Sequence, residues 1–249
     1  MAASYPTKMA LAFRSGNKCA NPACGCVLTE AAQKGDKVAV IGEAAHIAGE
    51  KPSSPRYDPN MTDQERNGYP NLIYMCPNCH STIDTLVEDY PTELLLRMKS
   101  EHENKVMESI EASFAEVGFP ELEIAASAVS EQILPSSEND YTVLDPEAKI
   151  AKNGLSSASK KIVTMGLALS REVSEFVAYV VQDDPGFPDR LKSGFLTEYY
   201  RLVSEGVSGD ELFDMMCQFA QRGIVGQAKK AAGLALLCYL FEKCEVFEK

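Results

Sequence analysis

Three short segments of this 249-residue chain concentrate the residue types that bind metal ions and activate water. They read CANPAC from Cys19, EAAHI from Glu43 and NLIYMCPNCH from Asn71. The chain has three histidines, and two of them, His46 and His80, fall inside these segments. Cysteines at metal-ligand spacing bracket both histidines. This combination indicates a metal site with groups for hydrolysis beside it.

The paired cysteines have the spacing of a zinc site, because zinc takes four tetrahedral ligands and a short turn can aim two thiolates at one ion. Cys19 and Cys24 flank an Asn-Pro turn, and Cys76 and Cys79 form a CxxC knuckle. Cys26 competes with Cys24, although it lies outside that turn and follows a glycine. We predict a structural Zn²⁺ held by Cys19, Cys24, Cys76 and Cys79. The alternative is reduced cysteines packed in a core.

His80 directly follows the second cysteine of the knuckle and lies four residues before Asp84. If a helix begins here, the two side chains share one face and can grip one divalent ion. Carboxylate and water ligands suit Mg²⁺ or Mn²⁺. We therefore predict a second, catalytic Mg²⁺ or Mn²⁺ at His80 and Asp84. The alternative for Asp84 is an ordinary charge in the first turn of a helix.

His46 follows a run of small residues, and a neutral imidazole is a suitable general base near pH 7. Asn71 ends a loop and enters the strand that leads to the knuckle. Its amide would either fix the loop that carries His46 or touch the metal. A lone histidine is more often a core residue, but His46, Asn71 and His80 occur in order within one cysteine-bracketed segment. We predict that these three residues form the catalytic group.

Residues from about 10 to 105 resemble the HNH endonuclease family, which has a ββα-metal finger. The resemblance is carried by His46 in GEAAHI, Asn71 in NLIYMC and His80 in CPNCH, with the four cysteines at the zinc positions. The stretch PRYDPNMTDQERN, followed by NLI, CH and ID, is similar to a subgroup found in bacterial antiphage effectors. The segment LLLRMKSEHE also occurs in such domains. The resemblance implies single-metal hydrolysis of phosphodiester bonds, with DNA as the substrate.

The same resemblance implies roles for the matched residues. His46 would be the general base, His80 a metal ligand and Asn71 the residue that orients the loop of the base. Many family members carry Asp or His immediately before the base as a metal ligand, whereas this chain has Ala45. Glu43 would share a strand face with Ala45 and reach the metal in its place. The expected ligands of the catalytic ion are therefore His80, Asp84 and Glu43.

Three basic residues on the loops between the His46 and Asn71 segments are candidate phosphate contacts, namely Lys51, Arg56 and Arg66. Solvated surface charge explains each of them equally well. The third histidine of the chain, His102, lies in the segment KSEHE. We expect it to pack a helix or anchor a loop rather than to take part in catalysis.

The net charge of −12 is unfavourable for a nucleic-acid enzyme, because nonspecific DNA affinity comes mostly from Lys and Arg contacts with phosphates. Up to Ala115 the chain has 11 basic and 15 acidic residues, and after it 13 basic and 21 acidic residues. The acidity is therefore concentrated in the C-terminal half. We expect weak intrinsic affinity for DNA, supplemented by a partner.

The location expected for the chain is cytoplasmic, with no membrane partner. No apolar run approaches the roughly 20 residues that cross a bilayer. The first residues lack the apolar segment of a signal peptide. Although the eight cysteines are even in number, their spacing favours metal ligation and reduced thiols over disulfides.

Short elements are expected to position the site. Strand-like stretches lie at 38–41 and 72–75, and a Pro- and Ser-rich loop covers 49–59. A capping box at 62–65 predicts a short helix, and a long helix is expected from Thr92. We predict an α+β chain with three parts. They are a zinc-stapled ββα-metal nuclease domain at 1–115, a linker with partial order at 116–147 and an all-helical interaction domain at 148–249.

The C-terminal region has no histidine and no cysteine pair at metal spacing. Its apolar stripes predict helices near 162–180, 189–202, 209–219 and 224–241. The segments LTEYYRLVSEGVSGDELFDMM and GLALLCYLFEKCEVFE resemble the C-terminal domain of effectors of ABC-three-component defence systems, also called Lamassu-type. The resemblance implies docking onto an SMC-like ATPase and a third subunit. Self-association into a homo-oligomer is the alternative.

The function expected from the sequence is that of an HNH endonuclease that hydrolyses phosphodiester bonds in DNA. It would be the effector of a bacterial antiphage complex, controlled by its helical domain. The rival is a noncatalytic zinc-knuckle module that binds nucleic acid or protein. A third hypothesis, a nuclease that works alone, is disfavoured because the chain has no basic specificity domain.

Overall fold

A computed structural model of the chain divides into two compact units, residues 1–108 and 109–249. The described residues are 3–31, 38–130, 145–243 and 246–247. The first unit mixes short strands with helices, and the described elements of the second unit are helices. The chain is therefore α+β, as predicted. Within the described ranges, none of the helices combines the length and apolar character needed to span a bilayer.

The N-terminal unit contains two antiparallel strand pairs, β1–β2 and β3–β4, among its helices. Its elements in chain order are α1 (Tyr5–Arg14), β1 (Thr29–Ala31), β2 (Val38–Val40), β3 (Glu43–His46), α2 (Asp63–Asn67), β4 (Leu72–Met75), α3 (Pro77–Thr85) and α4 (Thr92–Phe114), which runs past residue 108. The strands predicted near 38 and 72, the capping box of α2 and the start of α4 at Thr92 are confirmed.

Strands β3 and β4 and helix α3 form a consecutive ββα arrangement. Glu43 lies opposite Met75, and His46 lies opposite Leu72. All four residues of β4 are buried, because α1 packs on the same strand pair. Helix α3 begins directly after β4, where Cys76 is the N-cap and accepts a hydrogen bond from the Cys79 amide. The knuckle, the helix start and the residues that follow it are therefore fixed on one buried strand.

Helix α1 has no counterpart among the predicted elements, although its start has recognisable signals. Ser4 accepts a hydrogen bond from the Thr7 amide at the N-cap, and Pro6 occupies the first turn, where a missing N–H costs nothing. Leu11 and Ala12 of this helix join the buried cluster formed with β3 and β4. Helix α1 therefore supplies one wall of the small core beneath the site.

The C-terminal unit is built around its last helix. The elements are α5 (Phe119–Val129), α6 (Pro146–Lys152), α7 (Ser157–Leu167), α8 (Ser170–Val180), α9 (Phe187–Ser204), α10 (Gly209–Ala220) and α11 (Gln227–Lys243). Ten residues of α11 are buried, and it packs against α5, α7, α8 and α10. A Cβ at Gly233 would lie 2.0 Å from the Ala220 carbonyl oxygen, so only glycine permits the approach of α10 and α11.

One expectation for the C-terminal half needs correction. The single helix predicted through 162–180 is two helices, α7 and α8, separated at Ala168 and Leu169. The apolar stripe continues across the break because both helices bury residues in one core. The segment expected to be a linker contains α5, which buries Leu122 and Ala125, and its residues 131–144 lie outside the described part. The domain boundaries at 115 and 147 stay predictions.

The helical patterns around Cys217, Cys238 and Cys244 predict that these cysteines are buried small hydrophobic residues. Cys217 and Cys238 are fully buried, which confirms this expectation for two of the three. Burial raises the pKa of the Cys238 thiol to about 12, so this thiol stays protonated and packs as an apolar group. Cys244 lies outside the described residues.

Candidate functional site

The four predicted zinc ligands converge. The Sγ atoms of Cys19, Cys24, Cys76 and Cys79 all lie within 4.8 Å of one another. The Cys24 and Cys76 sulfurs are 4.0 Å apart. A tetrahedral zinc ion with Zn–S bonds of about 2.3 Å separates its sulfurs by about 3.8 Å. The cysteine cluster therefore fits a structural zinc ion, which would join the first 24 residues of the chain to β4 and α3.

Nitrogen donors around the cluster are placed to stabilise negative charge on the sulfurs. The Cys76 amide points at the Cys19 sulfur at 3.4 Å, and the Cys79 amide points at the Cys76 sulfur at 3.3 Å. Asn21 donates from its side chain to the Cys79 sulfur at 3.3 Å. Hydrogen bonds to a thiolate favour its charged form, and the start of α3 adds a positive dipole end. The cluster thus has the surroundings of thiolate ligands.

The thiols in and beside the cluster differ in pKa, and this difference affects how they bind a cation. Burial raises the pKa of Cys79 and of Cys19. Hydrogen bonds from the backbone and thiol of Cys26 lower the pKa of Cys24 to about 7. Cys26 in turn has its pKa raised to about 12, chiefly by that bond to Cys24. Cys24 therefore ionises more readily than Cys19 and Cys79, and the positive charge of a bound ion would favour the thiolate forms of these two residues.

His80 lies on α3 between two carboxylates. Its Nδ1 is 2.7 Å from Glu43 Oε2, and its Nε2 is 3.4 Å from Asp84 Oδ2. The i,i+4 spacing on α3 brings Asp84 to the ring, and β3 brings Glu43 to it across the ββα arrangement. The His80 side chain is 28% exposed, so solvent and small ions reach this group.

The three predicted ligands of the catalytic ion do not converge on one point. The two carboxylates approach different ring nitrogens, on opposite edges of the imidazole. Among the described residues, the ligand atoms of the four cysteines all lie within 4.8 Å of one another, and the ligand atoms of Glu43, His80 and Asp84 do not form such a group. Ala45 is fully buried, and its methyl side chain offers no ligand atom. One carboxylate can share an ion with His80, and the other then holds the ring.

His46 is the last residue of β3 and lies partly buried. Its Nε2 is 3.2 Å from Asn67 Oδ1. The amide of Asn67 is oriented, because its Nδ2 donates to the Asp63 carbonyl at 2.9 Å. Because this Oδ1 can only accept, the contact is consistent with a neutral His46 imidazole that carries its proton on Nε2. This tautomer leaves Nδ1 of His46 with a lone pair, as a general base requires.

Asn71 ties the loop after His46 to the start of β4. Its Oδ1 accepts from the Ala48 amide at 2.9 Å, and its Nδ2 donates to the carbonyls of Ala48 and Arg66 at 2.8 and 2.9 Å. Its own carbonyl accepts from the Ile47 amide, which extends the β3–β4 ladder past His46. Of the two roles open for Asn71 in the sequence, this geometry is that of a loop anchor.

Two of the three candidate phosphate contacts have internal partners instead. The Arg56 side chain is 4% exposed and donates to the carbonyls of Ile47 and Ile83 and to Asp84. Arg66 is 2% exposed, donates to the Met61 carbonyl and lies over the Tyr57 ring. Neither guanidinium reaches solvent, so the expected phosphate contact is not seen at these positions. Lys51 is exposed.

Asn67 and the contacts of Arg56 are the features that sequence reasoning missed. Asn67 ends a helix before a glycine, a position that reads as a helix terminus and nothing more. His102 behaves as expected, since its Nε2 bonds the Ser15 carbonyl at 3.0 Å and ties α4 to the end of α1.

A search of known protein-family models and a search of curated proteins both gave no match to this chain. The functional conclusion therefore rests on geometry and chemistry.

Proposed function

We propose that the chain is a zinc-stapled HNH endonuclease that hydrolyses phosphodiester bonds in DNA with a divalent metal ion. The observation that carries the proposal is the ββα arrangement of β3, β4 and α3. It places a histidine of defined tautomer at the end of the first strand and a histidine flanked by two carboxylates on the helix. The cysteine cluster joins the same strand and helix, as the resemblance to this family implies.

His46 is the general base in this proposal. Its Nδ1 accepts a proton from water while the water oxygen forms a bond to phosphorus and the bond from phosphorus to the leaving oxygen breaks. Asn67 holds the proton on Nε2 and stabilises the imidazolium that results. Asn71 keeps the backbone after His46 in register with β4, so the base stays at a fixed position. Positioned bases of this kind contribute about 10²–10⁴-fold to rate.

His80 and Asp84 are the residues that would hold the catalytic Mg²⁺ or Mn²⁺. Asp84 stands 3.4 Å from Nε2, whereas Glu43 lies at hydrogen-bond distance from Nδ1. Glu43 therefore fixes the ring orientation, which is the role that carboxylates take behind metal-bound histidines. When bound, the ion supplies positive charge to the scissile phosphate and the departing oxygen. The 28% exposure of His80 leaves room for water and substrate as further ligands.

The helical unit is proposed to restrain and direct the nuclease. The chain as a whole carries a net charge of −12, and most of the excess acid follows residue 115. Such a domain repels the DNA backbone rather than binding it. DNA affinity would then come from partners, which we propose to be an SMC-like ATPase and a third subunit of an antiphage complex, with homo-oligomers as the alternative.

A noncatalytic zinc-knuckle module that binds nucleic acid or protein is the second candidate. The observation that favours it is the difference between the two sites. The four cysteines converge on one point, whereas Glu43, His80 and Asp84 do not. This candidate predicts one bound zinc ion and no metal-stimulated cleavage.

The test is cleavage of supercoiled plasmid by the purified, zinc-loaded chain with added Mn²⁺ or Mg²⁺. Three histidine variants are compared: His46→Ala, His80→Ala and the matched control His102→Gln. His102 anchors α4 and contacts none of the proposed groups. We expect cleavage by the wild type and the control, and a loss of about 10²-fold or more in the other two.

Equal cleavage by wild type and His46→Ala would exclude His46 as the base. If no protein cleaves, the assay is repeated with the proteins encoded beside this one, under the same metal conditions. Cleavage that appears then and depends on His46 supports a restrained effector. Zinc content without cleavage in either assay favours the binding module.

A further inference from the structure

The guanidinium of Arg56 joins three different places around the proposed site. Its Nε donates to the Ile47 carbonyl at 2.8 Å, its Nη1 to the Ile83 carbonyl at 2.7 Å and its Nη2 to Asp84 Oδ1 at 2.6 Å. Ile47 directly follows His46, and Ile83 and Asp84 lie on α3. One rigid planar group therefore connects the end of the base-bearing strand to the helix that carries His80.

The two oxygens of Asp84 face different partners. Oδ1 accepts from Arg56, and Oδ2 lies 3.4 Å from Nε2 of His80. Because the arginine occupies one oxygen, the carboxylate cannot rotate freely, and the other oxygen stays directed at the imidazole. The bond is charge-assisted, and the arginine end of the pair is almost fully buried.

The Ile83 carbonyl is also a helix-end group. It lies in the last turn of α3, where the carbonyls run out of amide donors from a following helical turn. A guanidinium at this place satisfies one of them and complements the negative end of the helix dipole. Arg56 thus holds the C-terminal end of α3, while the cysteine cluster holds its N-terminal end.

The backbone of Arg56 indicates that this position is strongly constrained. Its φ is +56°, in the left-handed region that residues other than glycine rarely adopt. A buried guanidinium and an unfavourable backbone occur together here, and such combinations persist where the surrounding contacts over-determine them. The loop between Ile47 and α2 is therefore shaped so that this side chain points inward.

We infer that Arg56 is a positioning residue for the catalytic metal site and acts through Asp84. It would set the distance between the strand that carries His46 and the helix that carries His80, and it would hold Asp84 Oδ2 in place for the ion. The inference rests on the proposed function and deepens it. Lysine cannot replace this arginine, because its compact ammonium lacks the planar fork that spans the three acceptors.

The test measures Mn²⁺ binding to the zinc-loaded full chain, from the electron paramagnetic resonance signal of free Mn²⁺. We expect Arg56→Lys to weaken Mn²⁺ binding by about 10-fold or more, as changes to residues behind metal ligands do. Arg66→Lys is the matched control, because Arg66 is a buried arginine of α2 that donates to the Gly49 and Met61 carbonyls and does not bond α3. Its Mn²⁺ affinity should equal that of the wild type.

A double-variant comparison separates positioning from general stability. On an Asp84→Asn background, Arg56→Lys should weaken Mn²⁺ binding little further, because its effect passes through Asp84. Thermal melting confirms that each variant is folded. If Arg56→Lys does not fold, Arg56→Gln, which retains two donors for the carbonyls, takes its place.

The outcomes distinguish this inference from the proposed function. If the wild type binds Mn²⁺ and cleaves DNA while folded Arg56→Lys binds equally well, the role of Arg56 is overturned and the nuclease stands. The role is also overturned if the losses of Mn²⁺ affinity in the two single variants multiply in the double variant. Arg56 would then affect Mn²⁺ binding without acting through Asp84. If the wild type binds no Mn²⁺ beyond its zinc, the metal site of the proposed function fails, and the role of Arg56 fails with it.

Discussion

Different kinds of side chain stabilise the interiors of the two units. The N-terminal unit has short strands, and its largest fully buried side chains are those of Leu, Ile and Met residues. The C-terminal unit packs helices around α11 and buries Phe195, Phe213, Phe241 and Phe247 completely. The first unit has a cluster of four thiols where the second has aromatic rings. The proposed site therefore lies in the unit that contains the cysteine cluster, and we expect the stability of this unit to depend on a bound zinc ion.

The largest expected effect of any change follows from this difference. Removing zinc with a chelator, or changing Cys79→Ser, should unfold the N-terminal unit, because structural zinc binding is worth about 10–16 kcal/mol. The helices of the C-terminal unit should keep their amide hydrogen-exchange protection. The matched control is Cys238→Ser, a buried cysteine of the helical unit that should leave the zinc content at one ion. Loss of exchange protection in both units together would contradict the expectation that only the N-terminal unit depends on zinc.

A core substitution in the helical unit should show the reverse pattern. Phe213 is fully buried and lies against Phe247 with ring centroids 5.8 Å apart. Phe213→Ala should lower the free energy of unfolding of this unit by about 3–5 kcal/mol. Zinc content and exchange protection of β3 and β4 should stay unchanged. A loss of zinc in this variant would show that the two units do not depend on separate sources of stability.

An effect of similar size is expected at the loop anchor, Asn71. Asn71→Asp keeps the acceptor for the Ala48 amide but removes both donors, which leaves two buried carbonyls facing a carboxylate. We expect a loss of about 1–3 kcal/mol for each unsatisfied group, measured by denaturant unfolding of the zinc-loaded chain. Gln64→Glu, an exposed amide-to-acid change on α2, is the control and should be near neutral. Equal stability of the two variants would contradict the anchor role.

The last prediction concerns the pH dependence of zinc binding. Because burial raises the pKa values of Cys19 and Cys79, these thiols hold protons at neutral pH without metal and must release them when zinc binds. Zinc affinity should therefore rise with pH, by about 10-fold per pH unit for each proton released. Competition with a chelator at pH 6.5 and pH 7.5 measures this dependence. A zinc affinity that does not change between these pH values would mean that the thiols are already ionised.

Much of the cysteine cluster could be predicted from the sequence, because thiolate pairs need only a short turn between them. The spacing of Cys76 and Cys79 on a knuckle and of Cys19 and Cys24 around Asn-Pro is local information. The i,i+4 relation of His80 to Asp84 is local as well and is found on α3. Features with a short sequence range were thus accessible without the fold.

The remaining contacts depend on long-range packing. The partners of Arg56 lie 9, 27 and 28 residues away, and its inward direction follows from a backbone conformation that no residue type announces. The link between Asn67 and His46 spans 21 residues. The break between α7 and α8 also escaped prediction, because the apolar stripe continues across it. Residue types alone did not reveal these features.

We propose that the N-terminal unit cleaves DNA with His46 as its base. The most direct measurement is the rate of plasmid cleavage by zinc-loaded wild type and by His46→Ala at a fixed Mn²⁺ concentration, with melting curves to show that both are folded. We predict cleavage by the wild type and a rate at least about 10²-fold lower for the variant. Cleavage at equal rates by the two folded proteins would contradict the claim.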